Sequence, residues 1–242
     1  MTSWLARTEM LLGPEQVDKL KNANVLVVGL GGVGSFAAEM ICRAGVGAMT
    51  IVDGDTVHVT NRNRQLPALK KNEGLPKADI MAARMMEINP GLKLTVLNEY
   101  LKDERMVEVL KEGYDYVVDA IDTLSPKIFL IHHTVNLKMK LVSSMGAGGK
   151  FDPLGIRVAD ISETTDCNLA RILRKKLHRL GLNSGFKAVY SPEPVDKNKI
   201  LRVEGERNKA SLVGTISYMP AAFGIVCASV VIRDLAGIPS EI

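Results

Sequence analysis

The sequence predicts an α/β fold: a doubly wound, mostly parallel sheet with a C-terminal extension. Three observations predict it. An apolar run at residues 24–28 ends in the glycine turn Gly29-Leu30-Gly31-Gly32-Val33-Gly34, and helical spacing begins directly after it. A second apolar run, residues 49–52, stops at Asp53. From there to residue 144, short apolar runs alternate with stretches of helical periodicity. Strand, glycine turn, helix, strand is a βαβ unit whose parallel strands cross over right-handed. Continued alternation builds a sheet with helices on both faces.

Each element has its own signal. Residues 14–22 read as a short polar helix. Residues 24–28 are an uninterrupted apolar run after Asn24, suited to a strand buried on both faces. Residues 35–44 carry helical spacing and stop at Gly45, a C-cap residue. Residues 59–72 are polar and cationic, a loop or short helix. Residues 77–88 form a helix that Asn89-Pro90 ends. Strands follow at 94–97, 116–120 and 141–144, with helices at 102–111 and 126–136 between them. Beyond residue 150 the pattern changes. A strand at 156–161 precedes an amphipathic helix at 168–180, with Leu169, Ile172, Leu173, Leu177 and Leu180 as its apolar stripe. Residues 187–191 suggest a strand. Residues 192–209 are charged and contain prolines, which reads as a mobile loop.

Composition narrows the class. A chain of 242 residues buries enough apolar surface to fold without disulfide or metal staples. Its three cysteines, Cys42, Cys167 and Cys227, are too few for a four-cysteine zinc site and too dispersed for a CxxC pair. They suggest reduced thiols in a cytoplasmic protein. The first ten residues carry Arg7 and Glu9 and do not read as a signal peptide. Residues 212–232 hold no charge and match a bilayer in length, yet include Gly214, Pro220 and Gly224. A buried strand-turn-helix is the expectation there, with membrane contact as the competing reading. The net charge of +4 is concentrated: residues 167–187 hold six basic residues and no acid, leaving −2 on the rest of the chain.

The glycine turn is a phosphate cradle in form. Gly29, Gly31 and Gly34 let backbone approach an anion, and the following helix presents unpaired N–H groups. Asp53, nineteen residues after Gly34, is placed to hold a ribose. A dinucleotide dehydrogenase shares this pattern. The cations that follow, Arg62, Arg64 and Lys77, suit a triphosphate attacked at its α-phosphorus better than a nicotinamide. Their bland alternative is a solvated loop and helix face. Asp119 and Asp122 fall at the end of a strand, where open α/β sheets bind ligands. Asp122 suits Mg²⁺ or nucleotide; Asp119 suits either that or a cap on the next turn.

Together, Gly29 to Gly34, Ile51-Val52-Asp53-Gly54-Asp55, Thr60-Asn61-Arg62-Asn63-Arg64-Gln65, Gly74-Leu75-Pro76-Lys77, Ile88-Asn89-Pro90 and Asp119-Ala120-Ile121-Asp122 carry a resemblance. The chain resembles the Rossmann-like adenylation domain of ubiquitin-activating enzymes and of the bacterial molybdopterin- and thiamine-synthesis adenylyltransferases, the ThiF-like family. The resemblance implies an ATP-binding adenylation core at residues 1–150, and an extension at 151–242 that completes the same domain. It implies that Gly32 contacts phosphate, Asp53 the ribose, and Asn61, Arg64 and Lys77 the phosphates. Asp122 is implied to hold Mg²⁺, and Arg7 to reach the ATP of the partner in a homodimer.

Residues 146–153, the basic helix, the C-terminal apolar segment and the missing zinc cysteines are similar to the branch of the family that dehydrates threonylcarbamoyladenosine in tRNA. That branch adenylates the threonyl carboxylate and then closes a ring. The alternative is an adenylyltransferase acting on the C-terminal glycine of a ubiquitin-like sulfur carrier. A third reading is a nucleotide-binding partner of a cysteine desulfurase and sulfur-acceptor system. A monovalent cation near the site is a further expectation. On the tRNA reading, Arg171, Arg174, Lys175, Lys176 and Arg179 contact RNA phosphates, against the plainer reading of a solvated helix face. Cys167, at the start of that helix, is either a reactive thiolate or a bystander; Cys42 and Cys227 are core.

Overall fold

The computed structural model describes residues 3–202 and 211–239. Seven strands form one sheet: β1 (Asn24–Val28), β2 (Ala48–Val52), β3 (Lys93–Leu97), β4 (Tyr116–Asp119), β5 (Lys140–Ser144), β6 (Arg157–Asp160) and β7 (Lys187–Tyr190). Their order is β3-β2-β1-β4-β5-β7-β6. All neighbours are parallel except the edge strand β6, which runs antiparallel to β7. The predicted doubly wound sheet is therefore present, and its strand order reverses direction between β1 and β4. Such a switch point opens a crevice at the carboxyl ends of the strands.

The continuous apolar runs explain the layering. Val25, Leu26, Val27 and Val28 alternate between the two faces, and each is buried. One face carries α2 (Pro14–Lys21), α3 (Gly34–Arg43), α4 (Lys77–Ile88) and the long C-terminal helix α8 (Tyr218–Ala236). The other carries α5 (Asp103–Lys111), α6 (Leu124–Asn136) and α7 (Asn168–His178). Cys42 and Cys227 lie in the first core, as expected. Burial pushes their thiols up, to about 11 and about 12.

The C-terminal segment is a strand, a turn and a largely packed helix. Met219, Phe223, Cys227 and Val231 recur every fourth residue and are fully buried. Among the described residues α8 is the one helix long and apolar enough to cross a membrane, and half of its apolar window is buried inside the protein. It crosses the start of α3 at Gly224, where a Cβ would stand 2.3 Å from the Val33 carbonyl oxygen.

Some expectations fail. The segment 192–209 is not a featureless loop: residues 197–199 make one 3-10 turn, and β8 (Ile200–Arg202) pairs antiparallel with β9 (Ser211–Val213). Its remainder, 203–209, lies outside the described residues. The strand ladder there is carried by Ile200, Leu201, Leu212 and Val213, a short apolar pattern that the surrounding charges obscure. A helix not anticipated, α1 (Ala6–Leu12), precedes α2. Helix α7 ends at His178, so Leu180 falls in the turn beyond it and is exposed rather than part of the apolar stripe.

Replacing Gly224 with alanine forces α8 off α3. Overpacking of this kind costs about 1–3 kcal/mol, and the urea midpoint of G224A should fall accordingly. An unchanged midpoint would show that the two helices separate freely.

Candidate nucleotide and catalytic site

The glycine turn leaves β1 at the switch point and enters α3. Gly29 adopts a left-handed φ of 91°, and a Cβ there would meet the Ala120 carbonyl oxygen at 2.8 Å. A Cβ on Gly34 would overlap the Gly29 carbonyl oxygen at 1.7 Å. Both positions therefore require glycine for the turn itself. Gly31 and Gly32 line its outer side: a Cβ on Gly32 would press on Pro220, while Gly31 faces the Gln65 side chain. The helix N-terminus and bare backbone together fit an oxyanion.

Asp53 fastens the turn. Its carboxylate accepts from Leu30 N–H at 2.6 Å and from Asp55 N–H at 2.8 Å. Burial raises its affinity for a proton, against the opposing pull of Lys77 and the two N–H donors. Lys77 opens α4 and is almost wholly buried. Its ammonium donates to the Asp55 carboxylate at 2.8 Å, and the Tyr100 hydroxyl donates to the same carboxylate.

The cationic loop arrives beside the turn. Arg64 donates to the Thr60 carbonyl at 3.0 Å and to Asn63 Oδ1 at 2.9 Å. Burial lowers its pKa, and the charge of Asp122 counters that shift; the Arg64 carbonyl lies against the phosphate turn, 3.3 Å from where a Gly32 Cβ would stand. Asn61 Oδ1 accepts from His58 N–H at 3.0 Å, capping the turn that holds the loop. Arg62 points elsewhere, to Glu73 at 3.3 Å. Asn63 Nδ2 donates to the Thr215 carbonyl at 3.0 Å, tying the loop to the segment before α8.

Asp122 is exposed, and the loop that carries it is built on a buried ion pair. Lys127 and Asp119, 1% and 0% exposed, stand 2.8 Å apart. Asp119 also accepts from Ser143 Oγ at 2.6 Å and from Ile121 N–H at 3.1 Å, so it does cap the following turn. Lys127 donates to the Ile121 carbonyl at 3.1 Å. The loop after β5 is held in a similar way. Lys150, buried, donates to the carbonyls of Ser191 and Glu193 at 3.0 and 2.6 Å, and the Glu193 carboxylate accepts from Phe151 and Asp152 N–H.

Among the described residues no three His, Cys, Asp or Glu side chains cluster as a metal cage. A single exposed carboxylate beside a phosphate cradle is nonetheless the donor set that Mg²⁺ takes when phosphates supply further ligands. Asp122 fits that description.

Two groups lie apart from the site. Leu5 packs against Gly45, at the opposite end of α3 from the glycine turn. Ten residues of helix span about 15 Å, so Arg7 cannot reach the turn of its own chain. Arg174, Lys175 and Arg179, with Ser162, His178 and Asn183, line a cleft of about 490 Å³, whereas Arg171 donates to Asn168 Oδ1 and, like Lys176, does not line it. Arg174 is also structural: its guanidinium donates to the Thr164 carbonyl at 2.8 Å and to the Thr164 hydroxyl. Cys167 caps α7 and is buried. Asp55, Tyr100, Lys127 and Glu193 were not singled out by spacing. Of these only Asp55 had a sequence signal, its place in Ile51-Val52-Asp53-Gly54-Asp55.

The geometry matches known proteins. A family model described as the ThiF family covers residues 5–242. The chain is 37% identical to the tRNA threonylcarbamoyladenosine dehydratase of Bacillus subtilis, over 97% of this chain and 95% of that one. It is similar to the solved structure of the Escherichia coli tRNA N6-threonylcarbamoyladenosine dehydratase in complex with ATP: TM-score 0.87, 36% identity, 96% of this chain and 93% of that one. It is also 36% identical to the molybdopterin-synthase adenylyltransferase of Salmonella typhimurium, over 53% of this chain and 51% of that one.

Replacing Lys127 with methionine strands a buried carboxylate. Losses of about 3–5 kcal/mol are usual for such a change, and K127M should unfold at correspondingly lower urea. A loss under about 1 kcal/mol would mean that Asp119 finds another partner or a proton at little cost.

Proposed function

The chain belongs to the ThiF family, and from that premise we propose that it is an ATP-dependent dehydratase of N6-threonylcarbamoyladenosine in tRNA. The observation that carries the proposal is the packing of Arg64 against Gly32 of the glycine turn, with Lys77 buried at the start of α4 and Asp122 on the loop after β4. The likeness to dehydratases over nearly the whole chain supports the substrate.

The threonyl carboxylate oxygen attacks the α-phosphorus of ATP, the bond to the bridging oxygen breaks, and pyrophosphate leaves. The acyl-adenylate is then attacked at its acyl carbon by a group of the same modification. A ring closes and AMP departs. Both partners of that second step sit in one molecule, so proximity replaces a covalent enzyme intermediate.

Each residue has a task. Backbone N–H groups at Gly31, Gly32 and the start of α3 hold phosphate oxygens. Asp53 keeps lone pairs for ribose hydroxyls beyond the two N–H groups it accepts. Arg64 and Lys77 stabilise charge that gathers on the phosphoryl oxygens, in a site where little water competes. Asn61 offers its amide NH₂ to the phosphates. Asp122 would hold Mg²⁺, which when bound neutralises part of the phosphate charge. The ammonium of Lys77 turns from Asp55 toward the nucleotide, or bridges the two.

Arg7 acts in trans on this proposal. It lies at the far end of α3 on a helix that exposes Trp4, Met10 and Leu11 nearby, a surface suited to a second copy in a homodimer. The basic residues of α7 serve tRNA phosphates, with Arg174 contributing less because its guanidinium is engaged. The three free thiols fit a cytoplasmic setting.

The decisive assay incubates the protein with ATP, Mg²⁺ and tRNA carrying the threonylcarbamoyl group, then weighs the nucleoside. Loss of one water together with AMP formation is expected; an unchanged nucleoside overturns the reading. Adenylation of a Gly-Gly sulfur-carrier tail instead would assign the chain to the other branch. Arg64→Ala and Asp122→Ala should each abolish AMP release, and near-normal turnover in either sinks its assigned role. Mixing inactive Arg7→Ala with inactive Asp122→Ala tests the trans arrangement. Random pairing of two-fold dimers restores about one site in four, whereas a cis-acting Arg7 restores none.

A further inference from the structure

We propose that Phe151 and Tyr218 form a stacking platform for an unpaired nucleobase beside the modified adenosine. The proposal rests on the tRNA reading above and adds how the base is held.

The chain is sparing with rings: five Tyr, five Phe and one Trp in 242 residues. Four aromatic side chains are markedly exposed, Trp4, Tyr100, Phe151 and Tyr218. Two of the four lie together. The Tyr218 hydroxyl donates to the Phe151 carbonyl at 2.9 Å, while Phe151 remains 50% exposed and Tyr218 46% exposed. Large exposed rings carry a free-energy cost in a monomer unless something covers them.

Their position narrows what covers them. Phe151 follows the loop after β5, the strand next to β4, whose end leads into Asp122. Tyr218 starts α8, and two residues later Pro220 packs against Gly32 of the phosphate turn. Asn63, the neighbour of Arg64, is bonded to the carbonyl of Thr215. The rings therefore flank the carboxyl edge of the sheet, within a helical turn of the nucleotide cradle. Backbone bonds fix them there: the Glu193 carboxylate holds Phe151 N–H at 3.0 Å, and Gly149 N–H donates to the Gly214 carbonyl at 2.7 Å.

The local charge is mixed, the Glu193 carboxylate beneath Phe151 and one cation over its ring. Lys199 places its ammonium 4.6 Å from the centre of the Phe151 ring, a cation–π contact that also sets a positive charge where a phosphodiester next to a stacked base would lie. Single-stranded RNA is recognised by stacking splayed bases on aromatic side chains. Two exposed rings near the ATP cradle, linked through the Tyr218 hydroxyl and the Phe151 carbonyl, offer stacking faces, with Lys199 over one face of Phe151.

The test compares the full-length wild type with Phe151→Ala, Phe151→Leu, Phe151→Tyr and Tyr218→Ala. Two readouts are taken: KM and kcat on threonylcarbamoyl-bearing tRNA, and Kd for an unmodified anticodon stem-loop. Stacking on one ring is worth roughly five- to a hundredfold in affinity. The Ala and Leu variants should therefore raise KM and Kd by about tenfold or more, with ATP affinity unchanged, while Phe151→Tyr stays near wild type. A Leu variant equal to wild type shows that apolar bulk suffices and overturns the platform. So does an Ala variant that keeps RNA affinity but splits a dimer in sedimentation, since the rings would then face a second copy. If wild type turns over no modified nucleoside yet the Ala variants lose stem-loop affinity, the dehydratase reading falls and the platform stands.

Discussion

The pairing of Asp119 with Lys127 is the interaction on which the site depends. Two opposite charges 2.8 Å apart, both almost fully buried, lie at the β4 side of the switch point. Burying charges is costly, and mutual attraction repays it only when the remaining hydrogen-bonding capacity is used. Here it is used at one place. Asp119 takes the N–H of Ile121 and Lys127 takes its carbonyl, so both members grip the residue just before Asp122. A hydrophobic pair of equal volume would fill the space but leave the loop's backbone without partners. The exposed carboxylate at Asp122 owes its position to ions that never meet the solvent.

The opposite wall of the crevice is set by close approach rather than charge. Gly34 lets α3 start directly on the Gly29 carbonyl, and Gly224 lets α8 cross the same point. These contacts bring Pro220 onto Gly32, so the start of α8 forms part of the phosphate turn's surroundings. Electrostatics then completes the cradle. Without nucleotide, the positive charge of Lys77 is balanced by Asp55 and that of Arg64 by nearby oxygen acceptors and Asp122. Both cations are thus held by acceptors near the turn before any phosphate competes for them.

The sequence disclosed what depends on local pattern. Glycines between strand and helix, aspartates at strand ends and apolar runs placed the sheet and its switch point, because strand and helix periodicities are properties of neighbouring residues. Arg64 and Lys77 lie in the segments that follow β2, and Asp122 in the loop that follows β4. Lys127 was invisible: on a helix of apolar periodicity a lysine reads as surface, and only the tertiary fold reveals the carboxylate beneath it. Asp55 lies 22 residues from the lysine it holds, and Tyr100 lies 45 residues from Asp55. The β8–β9 pair was missed because charges around it mask three-residue strands. Arg174 looked like its basic neighbours, yet it spends donors on the Thr164 loop, a difference that composition cannot express.

That long-range wiring also connects the surroundings of Phe151 with Arg64. Lys199, over the Phe151 ring, accepts at its carbonyl from Gly214 N–H at 3.0 Å; Gly214 in turn accepts from Gly149. One residue on, the Thr215 carbonyl takes a hydrogen bond from Asn63, whose Oδ1 receives Arg64. A base settling on the proposed platform would load a short chain of hydrogen bonds that ends at the Arg64 guanidinium. On that proposal, RNA docking and the placing of Arg64 for attack on the α-phosphorus are linked through these contacts.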